Sequence, residues 1–393
     1  MNAELKVLAD KIGIADYPAE LEPVFERIKD NFFIPNIENV LTELHRTYAP
    51  FDQYYDLLLQ GAQELQKDAD LLAWLALGYS FCKNATQQDA ARFPLPPLDD
   101  GIARACFPAI LVALEFPETI KRYRSRGFDE AQIKKNLGNL GINLKVQVLL
   151  SGQPALARLF QWLTLYTKAE IFDHMGFNYQ KTKWKDEAVL LQNIQSGEYA
   201  FLMLKGSFTA EGAVAGRRGA ENEPTFIEAS LKETDDAYIG YRAQNQSIQT
   251  TPERFEKSIW KIVLRPDDDV INLHIPRGTD LTPSFVEKSV AEGSALMSRY
   301  YPECNFKFTV CTSWMLDPKL LNVLPENAKM AHFIRHFLLH PSGDTAGVAC
   351  MGYVWPGVNC ATEELPENTS LQRGIKQMML QNSFIFWTTG VWK

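Results

Sequence analysis

One change of period, near residue 172, limits this chain more than any other feature. Upstream, apolar residues recur at three-and-four spacing through LEPVFERIKDNF, VLTELHRTY, YYDLLLQGAQEL, ADLLAWLALGYSF, IARACFPAILVALEF and AQIKKNLGNLGINLKVQVLL, the rhythm of helices that bury one face. From about 176 the texture is different. GEYAFLMLKG, PTFIEASL, DAYIGYRA, SIWKIVL, VINLHIP and FKFTVCTSW are short runs of aromatic and β-branched residues, bounded by Gly, Pro, Asp and Asn. Helical patterns at 283–300, 327–336 and 369–381 interrupt them, and FIFWTTGVW reads as a final strand. The chain is therefore expected to be α+β, with an α-helical N-terminal domain over 1–172 and a second domain over 173–393. ALARLFQWLTLYTKAEIF (155–172) is read as the last long helix of the bundle, and AEGAVAGRRGAENEP (210–224) as a loop whose Arg-Arg-Gly is too loose to grip phosphate. Leu-Pro-Glu-Asn occurs at 324 and again at 365, each time ahead of a helical pattern, which suggests repeated capping chemistry.

Composition closes off several classes of function. With 393 residues, 46% hydrophobic and 22% charged, the chain has enough apolar surface for two cores. A formal net charge of −8 argues against a nucleic-acid or anionic-membrane partner, because both select a basic face. The start, MNAELKVLADKIGIADYP, lacks a signal-peptide pattern, and no apolar run is long enough to span a bilayer, so a cytoplasmic location is expected. Six cysteines without a CxxC pair suit reduced core thiols. HFIRHFLLH spaces His332, His336 and His340 at i, i+4 and i+8, but there is no HExxH motif and FLLHPSGD reads as a strand that carries the third imidazole away. No metal site is expected there.

The stretch HIPRGTDLTP (274–283) is where chemistry concentrates. A strand ends at a Pro-Arg-Gly-Thr-Asp turn, and a helix begins with Thr282 as cap and Pro283 in its first turn. The unpaired N–H groups and positive dipole end of that helix favour an anion. Gly278 lets one approach the backbone, and Arg277 adds charge. An ordinary solvated strand-to-helix turn fits the same residues.

HIPRGTDLTP, together with CTSWMLDPKL (311–320), LPENAKMAHFIRHF (324–337) and LPENTSLQRGI (365–375), resembles the GNAT-like C-terminal domain of a bacterial family whose helical N-terminal half is termed an N-acyltransferase N-terminal domain. The likeness covers nearly the whole chain. It implies a GNAT-like mixed, mostly antiparallel β-sheet with flanking helices, and acyl-CoA or CoA as co-substrate. It also implies a pyrophosphate at the turn after the family's fourth strand, with the acyl group where the fourth and fifth strands splay. Arg277, Gly278, Thr279 and Thr282 fall at that turn. The Gln/Arg-x-x-Gly-x-Gly/Ala loop of ordinary GNAT proteins does not appear.

Acyl transfer to an amine needs a base for the amine proton and an acid for the departing thiolate. Strand alternation puts Asn272 and His274 on one face of VINLHIP, and Thr309, Cys311 and Ser313 on one face of FKFTVCTSW. His274 is the expected base, and Ser313 or Cys311 the expected donor to the sulfur or its carbonyl. A small-molecule or peptide amine is the expected acceptor. Two other readings stay open: a Cys-His hydrolase built from Cys311, His274 and Asp317, and a non-catalytic ligand-binding or scaffold protein on a degenerate GNAT-like fold in which His274 only braces the loop.

Overall fold

The computed structural model describes residues 2–99, 101–216, 224–345 and 347–393, and the Arg-Arg-Gly of 217–219 lies outside them. The chain divides into two compact units, Met1–Asp173 and His174–Lys393.

The first unit is helical. Several of its helices start at capping side chains: Asn2, Asn36, Asp68 and Asp129 each accept the backbone N–H three residues on. The helix Ile102–Ser125 is its axis, buried along most of its length and continuous through Pro108 and Pro117. A buried pair braces it, with Lys168 Nζ 2.8 Å from Glu115 Oε2. The long helix expected over 155–172 is not formed. A 3-10 turn at Ala157–Leu159 leads into the shorter helix Phe160–Thr167, and Ala169, at φ 51°, turns the chain into the strand Ile171–His174. The apolar rhythm runs on because Ile171 and Phe172 are buried as strand residues. No helix among the described residues is long and apolar enough to cross a membrane.

In the second unit five strands lie side by side. They are β1 (Phe177–Lys183), β5 (Asp269–His274), β6 (Thr309–Ser313), β8 (Phe386–Trp392) and β7 (Phe337–Thr345), in that order. The β5–β6 pair is parallel and the others are antiparallel, so the sheet is mixed and mostly antiparallel. A smaller antiparallel sheet holds β2 (Ala188–Asn193) between β3 (Tyr199–Met203) and β4 (Trp260–Leu264). Leu190, Phe201 and Leu264 from it form one core with Val270, Val310 and Val391 of the large sheet.

Helix α1 (Pro283–Tyr300) follows β5, with Thr282 at its N-cap and Pro283 at its first turn. Val286, Val290, Gly293 and Met297 make its buried stripe, at the spacing of a helix that packs one face on a sheet. Gly293 sits under the ring of Tyr179, whose hydroxyl lies 2.7 Å from Ser289 Oγ, and a Cβ on Gly293 meets that ring head-on. Gly293→Ala is expected to lower stability by about 1–3 kcal/mol through overpacking, although alanine favours helix. Chemical denaturation measures the change.

Helices α2 (Lys329–Arg335) and α4 (Ser370–Leu380) match the expected patterns, and α3 (Gly347–Val354) is one that the sequence reading missed. The two Leu-Pro-Glu-Asn segments are not caps themselves. Their helices begin at Ala328, without a side-chain cap, and at Thr369, which forms a capping box with Gln372. What they share is a buried leucine and a glutamate carbonyl that accepts an arginine from the following helix: Arg335 to Glu326 and Arg373 to Glu367, both at 2.9 Å.

Candidate active site at the β5–β6 gap

The parallel pairing of β5 with β6 is short. Ile271 faces Thr309 and Asn272 faces Val310, and there the ladder stops. Both strands continue. β5 stays paired with β1 as far as His274↔Asn178, and β6 stays paired with β8 as far as Ser313↔Thr388. The two central strands therefore part while each is still held on its far side, and β5 leads directly into the turn before α1.

His274 is the last residue of β5 and is half-buried beside this opening. Its Nε2 lies 2.7 Å from Gln180 Oε1 on β1 and 3.4 Å from Asn272 Nδ2, and that amide is in turn 3.4 Å from Gln180 Oε1. Removal from water disfavours the charged imidazolium and pulls the pKa down from 6.5 to about 4. The ring is neutral at pH 7.

Register decides which candidates share a face with it. Because Asn272 is level with Val310, His274 falls on the face that carries Val310 and Thr312, while Cys311 and Ser313 point to the other face with Leu273. Thr312 is exposed, with Oγ1 2.9 Å from Thr389 Oγ1, and is the hydroxyl on the His274 side that the sequence reading passed over. Ser313 accepts the Met315 N–H at 3.1 Å and thereby starts a 3-10 turn, which leaves its own hydroxyl hydrogen to be donated.

Cys311 is only 1% exposed, and burial pushes its thiol up to about 12. A thiol so placed is a poor nucleophile and a poor acid. Asp317 does not orient an imidazole: Oδ1 accepts the Lys319 N–H at 2.9 Å and Oδ2 the Phe386 N–H at 2.8 Å. The hydrolase constellation is not assembled. Such a thiol is scarcely ionised at pH 8. Native protein treated with iodoacetamide is accordingly expected to be alkylated at the exposed Cys360 and spared at Cys311, as peptide mass mapping will read.

The turn after β5 mixes open and committed groups. Gly278 has φ +84°, a left-handed conformation that suits glycine, and no atom lies within 4 Å of where a Cβ would stand. Arg277 is exposed. Thr279 is committed to the backbone, its Oγ1 lying 2.7 Å from the Pro276 carbonyl and 2.8 Å from that of Gly176. Thr282 holds the cap position without capping. Its hydroxyl donates to Asp280 Oδ1 at 2.7 Å, and the same oxygen takes the Thr282 N–H at 3.0 Å and Lys329 Nζ at 2.8 Å. The Lys329 ammonium and then the Thr282 donors hold the Asp280 carboxyl down to about 2. A carboxylate of the chain itself thus stands beside the positive end of α1.

The histidine series does not converge on a metal. His336 ends α2, with its ring stacked 4.7 Å from that of Trp392, while His340 lies in β7 and is 1% exposed. Among the described residues no cluster of three His, Cys, Asp or Glu side chains is placed to bind an ion.

Three solved structures share this architecture. An acyltransferase in complex with decanoyl-CoA is 16% identical, with a TM-score of 0.65 over 100% of this chain and 99% of that one. An acyltransferase with decanoyl-CoA and teicoplanin is 15% identical, with a TM-score of 0.62 over 99% of this chain and 98% of that one. One with CoA and 10C-teicoplanin is 15% identical, with a TM-score of 0.64 and the same shares, 99% and 98%. No curated protein sequence matches the chain. At these identities the likeness is one of fold. The sequence profile described as GNAT-like C-terminal domain matches residues 177–392, more than half of the chain, and the protein belongs to that family.

Proposed function

We propose that this protein transfers an acyl group from an acyl-CoA-type thioester to an amine on a small molecule or peptide. The observation that carries the reading is the early end of the β5–β6 ladder, since parallel strands that part beyond Asn272 and Val310 would let an extended pantetheine and its thioester lie between them. Its far end meets the Arg277–Gly278 turn, where the pyrophosphate would find a close-approach glycine, a guanidinium and the start of α1. The fold-mates were solved with CoA, decanoyl-CoA and teicoplanin, which supports a thioester donor and an acceptor bulkier than a simple amine.

His274 then acts as the base. The amine nitrogen attacks the thioester carbonyl, and its proton becomes far more acidic as the N–C bond forms. That acidity suits a neutral imidazole whose pKa is near 4 and which could not strip a free ammonium. The tetrahedral intermediate collapses with cleavage of the C–S bond, and the departing sulfur receives a proton. Thr312, on the His274 face, supplies a hydroxyl for the sulfur or the oxyanion, while Ser313, on the opposite face, would serve only a thioester that passes between the strands.

Thermal shift with CoA and a panel of acyl-CoAs tests the donor. Saturation to about 100 times Kd is expected to stabilise the fold by about 2.7 kcal/mol, visible as a raised Tm. One feature favours the rival scaffold reading: Asp280 already supplies an anion beside the helix start. An unchanged Tm with every thioester at millimolar concentration, and no thiol release with any amine, would select that reading.

A further inference from the structure

Two residues beyond the last paired step of β5 and β6, Asn272 with Val310, the strands reach His274 and Thr312. The row that starts there continues across the sheet. Thr312 is level with Thr389 on β8, and Thr389 with His340 on β7, so these three side chains share one face in successive strands. One step back on that face stand Val310, Val391 and Leu338, which belong to the apolar core. Thr389 is only 2% exposed, and a hydroxyl so buried is costly unless it is bonded. It is held from two sides. Its hydroxyl bonds Asp186, in the connection between β1 and β2, and Asp186 Oδ2 lies 2.9 Å from His340 Nε2, at an angle too bent for a straight hydrogen bond. Burial pushes the Asp186 carboxyl up, but His340 and Thr389 hold it below its ordinary value. His340 is anchored in turn, with Nδ1 3.0 Å from the Pro341 carbonyl. On its other side Thr389 Oγ1 lies 2.9 Å from Oγ1 of the exposed Thr312.

We infer that Thr389 is a positioning residue: its hydroxyl, anchored at the Asp186–His340 pair, fixes the side-chain rotamer of Thr312 and with it the place of the Thr312 hydroxyl on the His274 face. The inference rests for its meaning on the acyl transfer proposed above, because that reading gives Thr312 its task. An exposed threonine has three staggered wells at χ1, and a bond to a buried, anchored neighbour selects among them. This holds whichever oxygen of the Thr312–Thr389 pair donates the hydrogen, and whatever other partners Thr389 has. Register makes the contact a direct cross-strand one, so neither side chain has to reach along the sheet to form it.

Three-bond couplings from the Thr312 methyl carbon to its backbone nitrogen and carbonyl carbon read χ1 directly and need no turnover. Wild type is expected to show a single rotamer. Thr389→Val, which keeps the shape, and Thr389→Ala, which relieves any crowding, both remove the hydroxyl. Each is expected to give averaged Thr312 couplings and to lower kcat about twofold to tenfold with little change in donor KM, the worth of one neutral hydrogen bond. Thr389→Ser is expected to restore both. In a Thr312→Val background the Thr389 substitutions are expected to cost nothing further, as holds for a residue that acts only through another. Unaltered Thr312 couplings in the folded Thr389→Val or Thr389→Ala protein, or kcat losses that multiply independently at the two positions, overturn the inference. Because the couplings stand apart from catalysis, a protein with the expected rotamers and no acyl transfer would count against the proposed function alone.

Discussion

His274→Gln is expected to cut the rate of acyl transfer by about 10²–10⁴-fold while the donor still binds, the usual cost of removing a general base. Glutamine fills a similar volume and can still hydrogen-bond Gln180, so the fold is expected to survive and a normal melt under assay conditions is part of the result. The pH dependence separates this from a packing effect. With the folded-state pKa lowered to about 4 by burial, the imidazole is in its basic form across neutral pH. The acid limb of kcat/KM should therefore lie near pH 4 and not near the ordinary 6.5, and it should vanish in the variant. Stability follows the same linkage. Between pH 6.5 and about 4 the unfolded chain holds the extra proton, so wild-type stability falls as pH drops through that window. The loss is a few kcal/mol at most. His274→Gln has no such group and should show a flatter curve. A variant with wild-type turnover per folded molecule would remove His274 from the mechanism.

How much of this site could be read from the sequence depends on which interactions are local. The turn 274–283 was legible because strand, Pro-Arg-Gly-Thr-Asp and Thr-Pro are each local signals, and the helix starts where they place it. Asn272 and His274 fall on one face of a strand by period alone, and their side chains lie 3.4 Å apart. The relation of β5 to β6 was not legible. A one-residue change of register exchanges the faces, so whether Ser313 or Thr312 lies on the His274 side is decided by the pairing of Asn272 with Val310. Gln180 gave no signal either, because its contact with His274 comes from a strand that lies about ninety positions upstream and pairs across the sheet. The misread helix at 155–172 fails for a different reason: buried residues on a short helix and on the strand after it produce one unbroken apolar rhythm. The burial of Cys311 was not legible either, because a thiol in a strand of mixed texture looks the same in sequence whether it faces water or core.

Donor affinity should answer to the charges at the turn with opposite signs. Arg277→Ala is expected to raise the Kd for CoA by about tenfold to a hundredfold, the worth of a hydrogen bond to a charged group. Asp280→Asn is expected to lower it. The carboxylate stands where the phosphates would come closest to α1, and its oxygen holds both the Thr282 N–H and the Lys329 ammonium. Asparagine keeps an oxygen for the Thr282 N–H while removing the like charge and releasing Lys329 toward the ligand, for a gain of roughly fivefold at low ionic strength. Both effects should shrink as salt is added, because these groups are exposed to solvent. Dephospho-CoA and pantetheine divide the contributions further: pantetheine lacks the pyrophosphate, so its binding should be indifferent to both substitutions, whereas dephospho-CoA should retain both responses. Calorimetric titration of the three ligands against the wild type and the two variants measures this directly. If Arg277→Ala and Asp280→Asn leave the CoA affinity unchanged, the phosphates do not sit at this turn, and the thioester must then enter the β5–β6 gap from elsewhere or not at all.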